Sequence, residues 1–177
     1  MIAVFDCETS GLISNSAANI DIQPHVIEFA GVIINREGAI VEELDFLIKP
    51  PMKLDPVITK ITGLTDEKLA NEQLLNHGMV ERIQKFFDKS QIAVAHNFSF
   101  DRGMMEFTFA RVGRQLRWPS RLVCTVEATE HIKGRRMKLA QLYQHFFNED
   151  FTGAHRAMND VKALARITAK MVEEGLI

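Results

Sequence analysis

Two apolar stretches separated by a short polar turn constrain the fold of this chain most strongly. Residues 25–34 and 39–48 are both rich in Val, Ile and Phe. Residues 35–38, with the sequence Asn-Arg-Glu-Gly, lie between them and are typical of a tight turn. The sequence therefore predicts an antiparallel β-hairpin in the first third of the chain.

The segments around this hairpin predict a mixed sheet. Strand-length apolar runs occur at residues 2–7, 91–95 and 121–124. Thr65, followed by Asp66 and Glu67, is typical of a helix start. Further helices are predicted near residues 75–88, 101–112, 126–132, 139–147 and 157–174. Strands that come first and later alternate with helices indicate an α/β fold, which we expect to form a single domain over residues 1–177.

Composition excludes several classes of protein. The 177 residues are 46% hydrophobic and 25% charged, which is unlike a disordered, collagen-like or coiled-coil chain. No apolar run approaches the ~18 residues of a membrane span, and the first residues lack the basic start of a signal peptide. Cys7 and Cys124 alone do not support a disulfide scaffold. We therefore expect a cytoplasmic protein in which both cysteines are buried, small apolar residues.

Charge is distributed unevenly along the chain. The formal net charge is −2, yet residues 102–138 contain nine basic and three acidic side chains. A basic stretch in a mildly acidic protein is typical of a surface that binds a polyanion. From charge alone, solvated loops and helix faces explain the pattern equally well.

The first of three acidic motifs follows the first predicted strand. Side chains alternate between the faces of a strand, so Asp6 and Glu8 point the same way and Cys7 points away from them. Two carboxylates at the end of a buried strand repel each other unless a cation compensates them. Oxygen ligands of this kind suit Mg²⁺ or Mn²⁺, although two solvated carboxylates remain an equal alternative.

Two further motifs place acidic side chains near predicted helix starts. Asp101 ends the segment His-Asn-Phe-Ser-Phe-Asp after the fourth strand, where a plain helix cap is the simpler interpretation. Asp160 falls in the first turn of the last helix, and His155 lies just ahead of it, where a surface histidine is the simpler interpretation. We expect the three motifs to converge at one edge of the sheet, and this convergence favours a shared site.

The sequence resembles the DEDDh 3′–5′ exonucleases in the order and spacing of its motifs, which are Asp6-x-Glu8, Asp101 and His155-x-x-x-x-Asp160. This family includes the proofreading ε-type subunits of bacterial replicative polymerases. The resemblance covers essentially the whole chain, including residues 61–65 (Ile-Thr-Gly-Leu-Thr), 123–125 (Val-Cys-Thr) and 139–147. It implies a ribonuclease H-like fold with a five-stranded mixed sheet flanked by helices. Thr62 departs from the usual histidine, and residues 13–23 are longer than the usual link between the first two strands.

The resemblance also implies a catalytic role for each motif residue. Asp6 would bridge two divalent cations, Mg²⁺ or Mn²⁺, with Glu8 and Asp160 completing the first ion's site and Asp101 holding the second. His155 would act as the general base that deprotonates the attacking water. Two dications outweigh the net charge of −2, so we expect the site to attract phosphate only when metal is present.

Substrate-binding candidates lie close to these motifs. Thr9 and Leu12 resemble family positions that hold and wedge the terminal nucleotide, and His96 is a further candidate. Phe98 is either a stacking surface for a base or a core residue, whereas Phe100 is expected in the core. A solvated loop and a path for phosphates are equally compatible with the basic side chains Lys133, Arg135, Arg136 and Lys138.

The function implied by this resemblance is hydrolysis at the 3′ end of DNA. The expected substrates are single-stranded or frayed ends, and the products are nucleoside 5′-monophosphates, with proofreading beside a DNA polymerase subunit as one setting. An exoribonuclease on the same scaffold, acting on RNA, is the first alternative. A non-catalytic nucleic-acid-binding subunit is the second, and His155 argues against it because binding alone needs no base.

Overall fold

Five strands form one mixed sheet in the order β3-β2-β1-β4-β5. The computed structural model describes residues 1–14, 19–151 and 156–177. The strands are β1 (Ile2–Thr9), β2 (Val26–Ile34), β3 (Ile40–Leu47), β4 (Ile92–Ala95) and β5 (Arg121–Cys124). β1 pairs antiparallel with β2 and parallel with β4, which confirms the predicted mixed sheet.

Helices cover both faces of this sheet. Their bounds are α1 Pro56–Thr62, α2 Asp66–Leu69, α3 His77–Asp88, α4 Phe98–Ala110, α5 Thr125–Ala128, α6 Glu130–Lys133, α7 Leu139–Phe147 and α8 Ala157–Glu173, with a 3₁₀ turn at Ile20–Ile22. Within the described residues, no helix is long and apolar enough to cross a membrane.

The hairpin between β2 and β3 closes as the sequence predicts. The Asn35 side chain accepts hydrogen bonds from the backbone N–H groups of Glu37 and Ala39. Gly38 has φ +80°, and a Cβ on it would lie 2.6 Å from the Cβ of Ala169. Glycine is therefore required here both by conformation and by close packing against α8.

The central strand β1 serves two hydrophobic layers. Its odd-numbered residues, such as Phe5 and Cys7, belong to the core beneath α3 and α4. Its even-numbered residues, such as Val4, belong to the core beneath α8. The alternation carries Asp6 and Glu8 onto the α8 face, because they follow Val4 at intervals of two residues.

Three differences from the predicted elements have physical causes. β1 continues through Thr9, since it keeps pairing with β2 beyond its apolar part. The predicted helix over residues 126–132 is divided into α5 and α6 at Thr129, a buried residue whose hydroxyl donates to the Thr125 carbonyl at 2.6 Å. Helix α1 was not predicted, because its apolar side chains Val57 and Ile61 face solvent and give no buried periodicity.

Candidate active site

Strand β1 and helix α8 bring three carboxylates together. Asp6 and Glu8 lie on the α8 face of β1, and Asp160 lies in the first turn of α8. Carboxylate oxygens of Asp6, Glu8 and Asp160 all lie within 4.8 Å of one another. The predicted convergence of the first and third motifs is therefore present.

Asp101 approaches the same place from the opposite face of the sheet. It lies in the first turn of α4 and is buried. Its Oδ1 accepts a hydrogen bond from the thiol of Cys7 at 3.2 Å. Cys7 points away from Asp6 and Glu8 and is buried in the core as expected, although its thiol also bonds to Asp101, whereas Cys124 is only partly buried.

Burial and mutual repulsion make this cluster reluctant to ionise. Burial raises the pKa of Glu8 to about 7, with further contributions from Asp160 and other acidic neighbours. Burial likewise raises the pKa of Asp101 to about 7, although the hydrogen bond from Cys7 acts in the opposite direction. The pKa of Asp6 lies well above its ordinary range, first through burial and then through the neighbouring carboxylates. The carboxyl groups of Asp6, Glu8 and Asp101 therefore stay protonated to higher pH than usual unless a positive charge compensates them.

The donor set fits a hard divalent cation. Three carboxylates within 4.8 Å of one another can share one ion, and Asp101 is close enough to contribute to the repulsion at Asp6. Oxygen-only ligands favour Mg²⁺ or Mn²⁺ over softer metals. Bound cations would also offset the repulsion that raises these pKa values.

A cleft of about 860 Å³ opens over the cluster. Asp6, Glu8, Asp101 and Asp160 line it, and so do Arg136 and Lys138 from the segment before α7. Arg136 donates a hydrogen bond to the Asn97 side chain at 3.1 Å, which holds its guanidinium at the rim. The cleft therefore places positive charge beside a negative cluster.

The segment after β1 is held by short hydrogen bonds. The hydroxyl of Thr9 donates to the Gly11 carbonyl at 2.7 Å, and the backbone N–H of Ser10 donates to the His25 carbonyl at 2.8 Å. Leu12 follows with 85% of its surface exposed. A fixed backbone at Thr9 and an exposed apolar side chain at Leu12 are compatible with the predicted grip on a terminal nucleotide.

His96 lines the cleft but is already bonded within the protein. Its Nδ1 lies 2.9 Å from the Thr125 hydroxyl, and its Nε2 lies 3.1 Å from the Met137 carbonyl. Burial lowers the pKa of His96 to about 4, so the ring is neutral, with Nε2–H donating to Met137 and Nδ1 accepting from Thr125. These contacts tie the ring to Thr125 and to the residue 137 segment, and a hydrogen bond from His96 to substrate would have to replace one of them.

Phe98 is a core residue, and the interpretation of it as a stacking surface was wrong. Only 5% of its surface is exposed, and its ring packs edge-on against Phe5 at 5.6 Å. The cause is the start of α4, which begins at Phe98 after Asn97 in a left-handed conformation with φ 68°. Phe100, expected in the core, is only partly buried and lines the cleft.

The segment just before α8 contains the predicted general base. His155 lies outside the described residues, as do residues 152–154 and 15–18. Arg156, the first described residue after it, forms an ion pair with Glu28 at 2.9 Å.

Sequence reasoning missed this partner of Arg156. Glu28 is 3% exposed and lies directly opposite Glu8 in the antiparallel β1–β2 register. A signal was available, because Glu28 is the one charged residue in the otherwise apolar strand Val26–Ile34. A lone buried charge of this kind requires a partner.

Curated relatives point to replication enzymes. The chain is 30% identical over 173 residues to a PolC-type DNA polymerase III from Caldanaerobacter subterraneus, covering 97% of this chain and 11% of that protein. It is 31% identical to the PolC-type DNA polymerase III of Lactococcus lactis, covering 97% of this chain and 10% of that protein. The chain thus spans about a tenth of the length of these relatives.

Solved structures share the fold. Exonuclease X in complex with 5′-overhanging duplex DNA superposes with a TM-score of 0.71 at 22% identity, covering 99% of this chain and 93% of that one. The nuclease domain of 3′hExo, a DEDDh family member bound to rAMP, gives a TM-score of 0.75 at 14% identity, covering 98% and 92%. These likenesses confirm the ribonuclease H-like architecture.

The model of the RNase_T family, described as exonuclease, matches residues 3–168, a span that contains every acidic residue of the cluster. With the fold, the acidic cluster and this match in agreement, the chain belongs to the RNase_T family of exonucleases, as its resemblance to the DEDDh enzymes implied.

Proposed function

We propose that this exonuclease hydrolyses phosphodiester bonds at the 3′ end of DNA, with two divalent cations held by Asp6, Glu8, Asp101 and Asp160. The observation that carries the proposal is the gathering of carboxylates from β1 and α8 within 4.8 Å, with raised pKa values on Asp6 and Glu8. A fold that keeps such repulsion needs a compensating ligand, and divalent cations are the ligands that this chemistry suits.

The bound cations would neutralise the phosphate and assist the attacking and leaving oxygens. The chain's own task is to hold the carboxylates together and correctly oriented, while the bound cations would favour their ionised forms. The Cys7 thiol contributes by donating to Oδ1 of Asp101, which fixes the orientation of that carboxylate. His155 is proposed as the general base on the strength of the family resemblance alone.

Positive charge at the rim provides a path for the DNA strand. Arg136 and Lys138 line the same cleft as the cluster, so a strand that enters there has its phosphates next to two basic side chains. Phe100, partly exposed in the same cleft, offers a face for a base to stack against. The terminal nucleotide would then rest on the Thr9 backbone, with Leu12 wedged beside it.

Proofreading is the setting that we propose. The curated relatives are replicative polymerases, and this chain matches about a tenth of their length. An exonuclease associated with a polymerase removes mispaired 3′ ends and acts where DNA is copied, in the cytoplasm of a bacterial cell. We propose DNA rather than RNA as the substrate, because the similar structure of Exonuclease X is a complex with duplex DNA.

Matched oligonucleotides test the proposal. Single-stranded DNA labelled at the 5′ end should give a ladder of products shortened from the 3′ end with Mg²⁺ or Mn²⁺, and none with EDTA. Asp160→Asn should nearly abolish the ladder, while Glu37→Gln, in the hairpin turn, serves as the control. A mispaired 3′ end should be shortened faster than a paired one.

The same experiment separates the alternatives. Faster degradation of the matched RNA would favour an exoribonuclease, which one similar structure supports, since it shows a 3′-exonuclease with a histone mRNA stem-loop. Binding without cleavage under any metal would identify a non-catalytic subunit. Release of the 5′ label as a mononucleotide, without a ladder, would overturn the polarity.

A further inference from the structure

An ion pair between a buried glutamate and a half-exposed arginine links the sheet to the start of α8. Glu28 lies in β2 opposite Glu8 and is almost fully buried. Its Oε1 accepts from Arg156 Nη2 at 2.9 Å and from Arg156 Nε at 3.2 Å. A buried carboxylate is tolerated only when it is paired and hydrogen-bonded, and this guanidinium meets that need.

Glu28 also caps the helix that carries Asp160. Its Oε2 accepts from the backbone N–H of Ala157 at 3.3 Å, and the Arg156 side chain makes no cap of its own. The first N–H groups of a helix lack partners inside the helix, and a carboxylate is favourable at that positive end. A residue of β2 therefore supplies the cap that α8 lacks locally.

The same turn fixes Asp160. The backbone N–H groups of Asn159 and Asp160 both donate to the Arg156 carbonyl, at 2.9 and 3.1 Å. A displacement of Arg156 would therefore move the turn that presents the Asp160 carboxylate to Asp6 and Glu8. In the sequence this turn follows His155, which lies outside the described residues.

We propose that the Glu28–Arg156 pair positions the first turn of α8, so that the Asp160 carboxylate completes the metal-binding cluster with Asp6 and Glu8. The inference rests on the proposed function, since it concerns the geometry of the same site. Neither residue contacts the substrate or a cation in this role.

Positioning and simple electrostatics predict different results. If the pair acted only through charge, Glu28→Gln would make the site less negative and weaken cation binding. Arg156→Gln would make it more negative and strengthen binding. If the pair acts by positioning, both substitutions weaken binding, because each one frees the same turn.

Mn²⁺ titration by calorimetry on the full chain tests this difference. We expect Glu28→Gln and Arg156→Gln each to raise the Mn²⁺ dissociation constant about tenfold, the lower end of the range for residues that support metal ligands. Arg156→Lys should recover part of the loss. Glu43→Gln is the matched control, because it removes another ion pair between α8 and the sheet, to Lys162 at 3.0 Å, where both side chains are exposed.

Hydrogen exchange on the metal-free protein gives a second readout. Amides of residues 157–160 should exchange faster in both variants than in the wild type and in Glu43→Gln. Opposite shifts in Mn²⁺ affinity, or unchanged affinity with unchanged exchange, would overturn the positioning role. A wild type that binds no Mn²⁺ would instead contradict the proposed function, while the exchange data would still report on the turn.

Discussion

Replacing Glu8 with Gln should stabilise the metal-free protein while removing its activity. Glutamine keeps the size of the side chain and removes the charge that burial and Asp160 oppose. Because the pKa of Glu8 is raised, the folded state keeps a proton that the unfolded state releases as the pH increases from 4.5 to about 7. Wild-type stability therefore falls across this pH window, and the variant escapes the fall.

The size of the effect follows from this pKa change. A rise from 4.5 to about 7 corresponds to roughly 3 kcal/mol of free energy of unfolding, which is fully lost only above pH 7. For a domain of this size, that equals an increase in Tm of about 6–12 °C for Glu8→Gln in EDTA at pH 8. At pH 5 the difference in free energy of unfolding between wild type and Glu8→Gln should shrink to below about 1 kcal/mol. At that pH the side chain at position 8 is neutral in both folded proteins.

Thermal unfolding followed by circular dichroism measures this difference. The control is Glu37→Gln, which changes an exposed glutamate in the hairpin turn. Excess Mn²⁺ at pH 8 should reverse the order, because only the wild type gains the full stabilisation from a ligand that binds the folded state. Equal Tm values for wild type and Glu8→Gln in EDTA at pH 8 would refute the electrostatic account of the cluster.

Three further substitutions test separate parts of the site. His155→Ala should lower kcat roughly 10²–10⁴-fold with little change in oligonucleotide affinity, and full activity would exclude it as the base. Arg136→Gln should raise KM and reduce the slope of log binding constant against log salt concentration by about one. The control is Arg117→Gln, which breaks the exposed pair with Asp88 and should leave the slope unchanged. Equal slopes for the two variants would show that Arg136 does not contact the DNA. Cys7→Val removes a hydrogen bond that lowers the pKa of Asp101, so the acid limb of the pH–rate profile should move to higher pH. Cys7→Ser keeps a donor and should leave the limb in place. Coincident profiles for the two variants would contradict a role of the thiol in setting the pKa of Asp101.

Much of the fold was predictable because local patterns and tertiary packing agree. Strand β5 and helix α7 have the bounds that their apolar patterns predict. Helix α1 carries an Asp55 cap, Pro56 in its first turn and Gly63 at its end, but its exposed apolar face gives no buried periodicity. Residues typical of helix ends do not predict a helix when no apolar residues at helical spacing are buried between them.

The candidate site was predictable in its acids and less so in its surroundings. Alternation along β1 correctly placed Asp6 and Glu8 on one face. The placement of Phe98 and Phe100 was not predictable because α4 begins three residues earlier than predicted and includes both of them. The Cys7–Asp101 and Glu28–Arg156 contacts join residues 94 and 128 positions apart, which no local pattern encodes.

The most direct test of the central claim is a crystal of the wild-type protein soaked in Mn²⁺ and measured for anomalous scattering. We predict two peaks ligated by the carboxylates of Asp6, Glu8, Asp101 and Asp160. An absence of peaks at these carboxylates, with their side chains turned apart, would contradict the account.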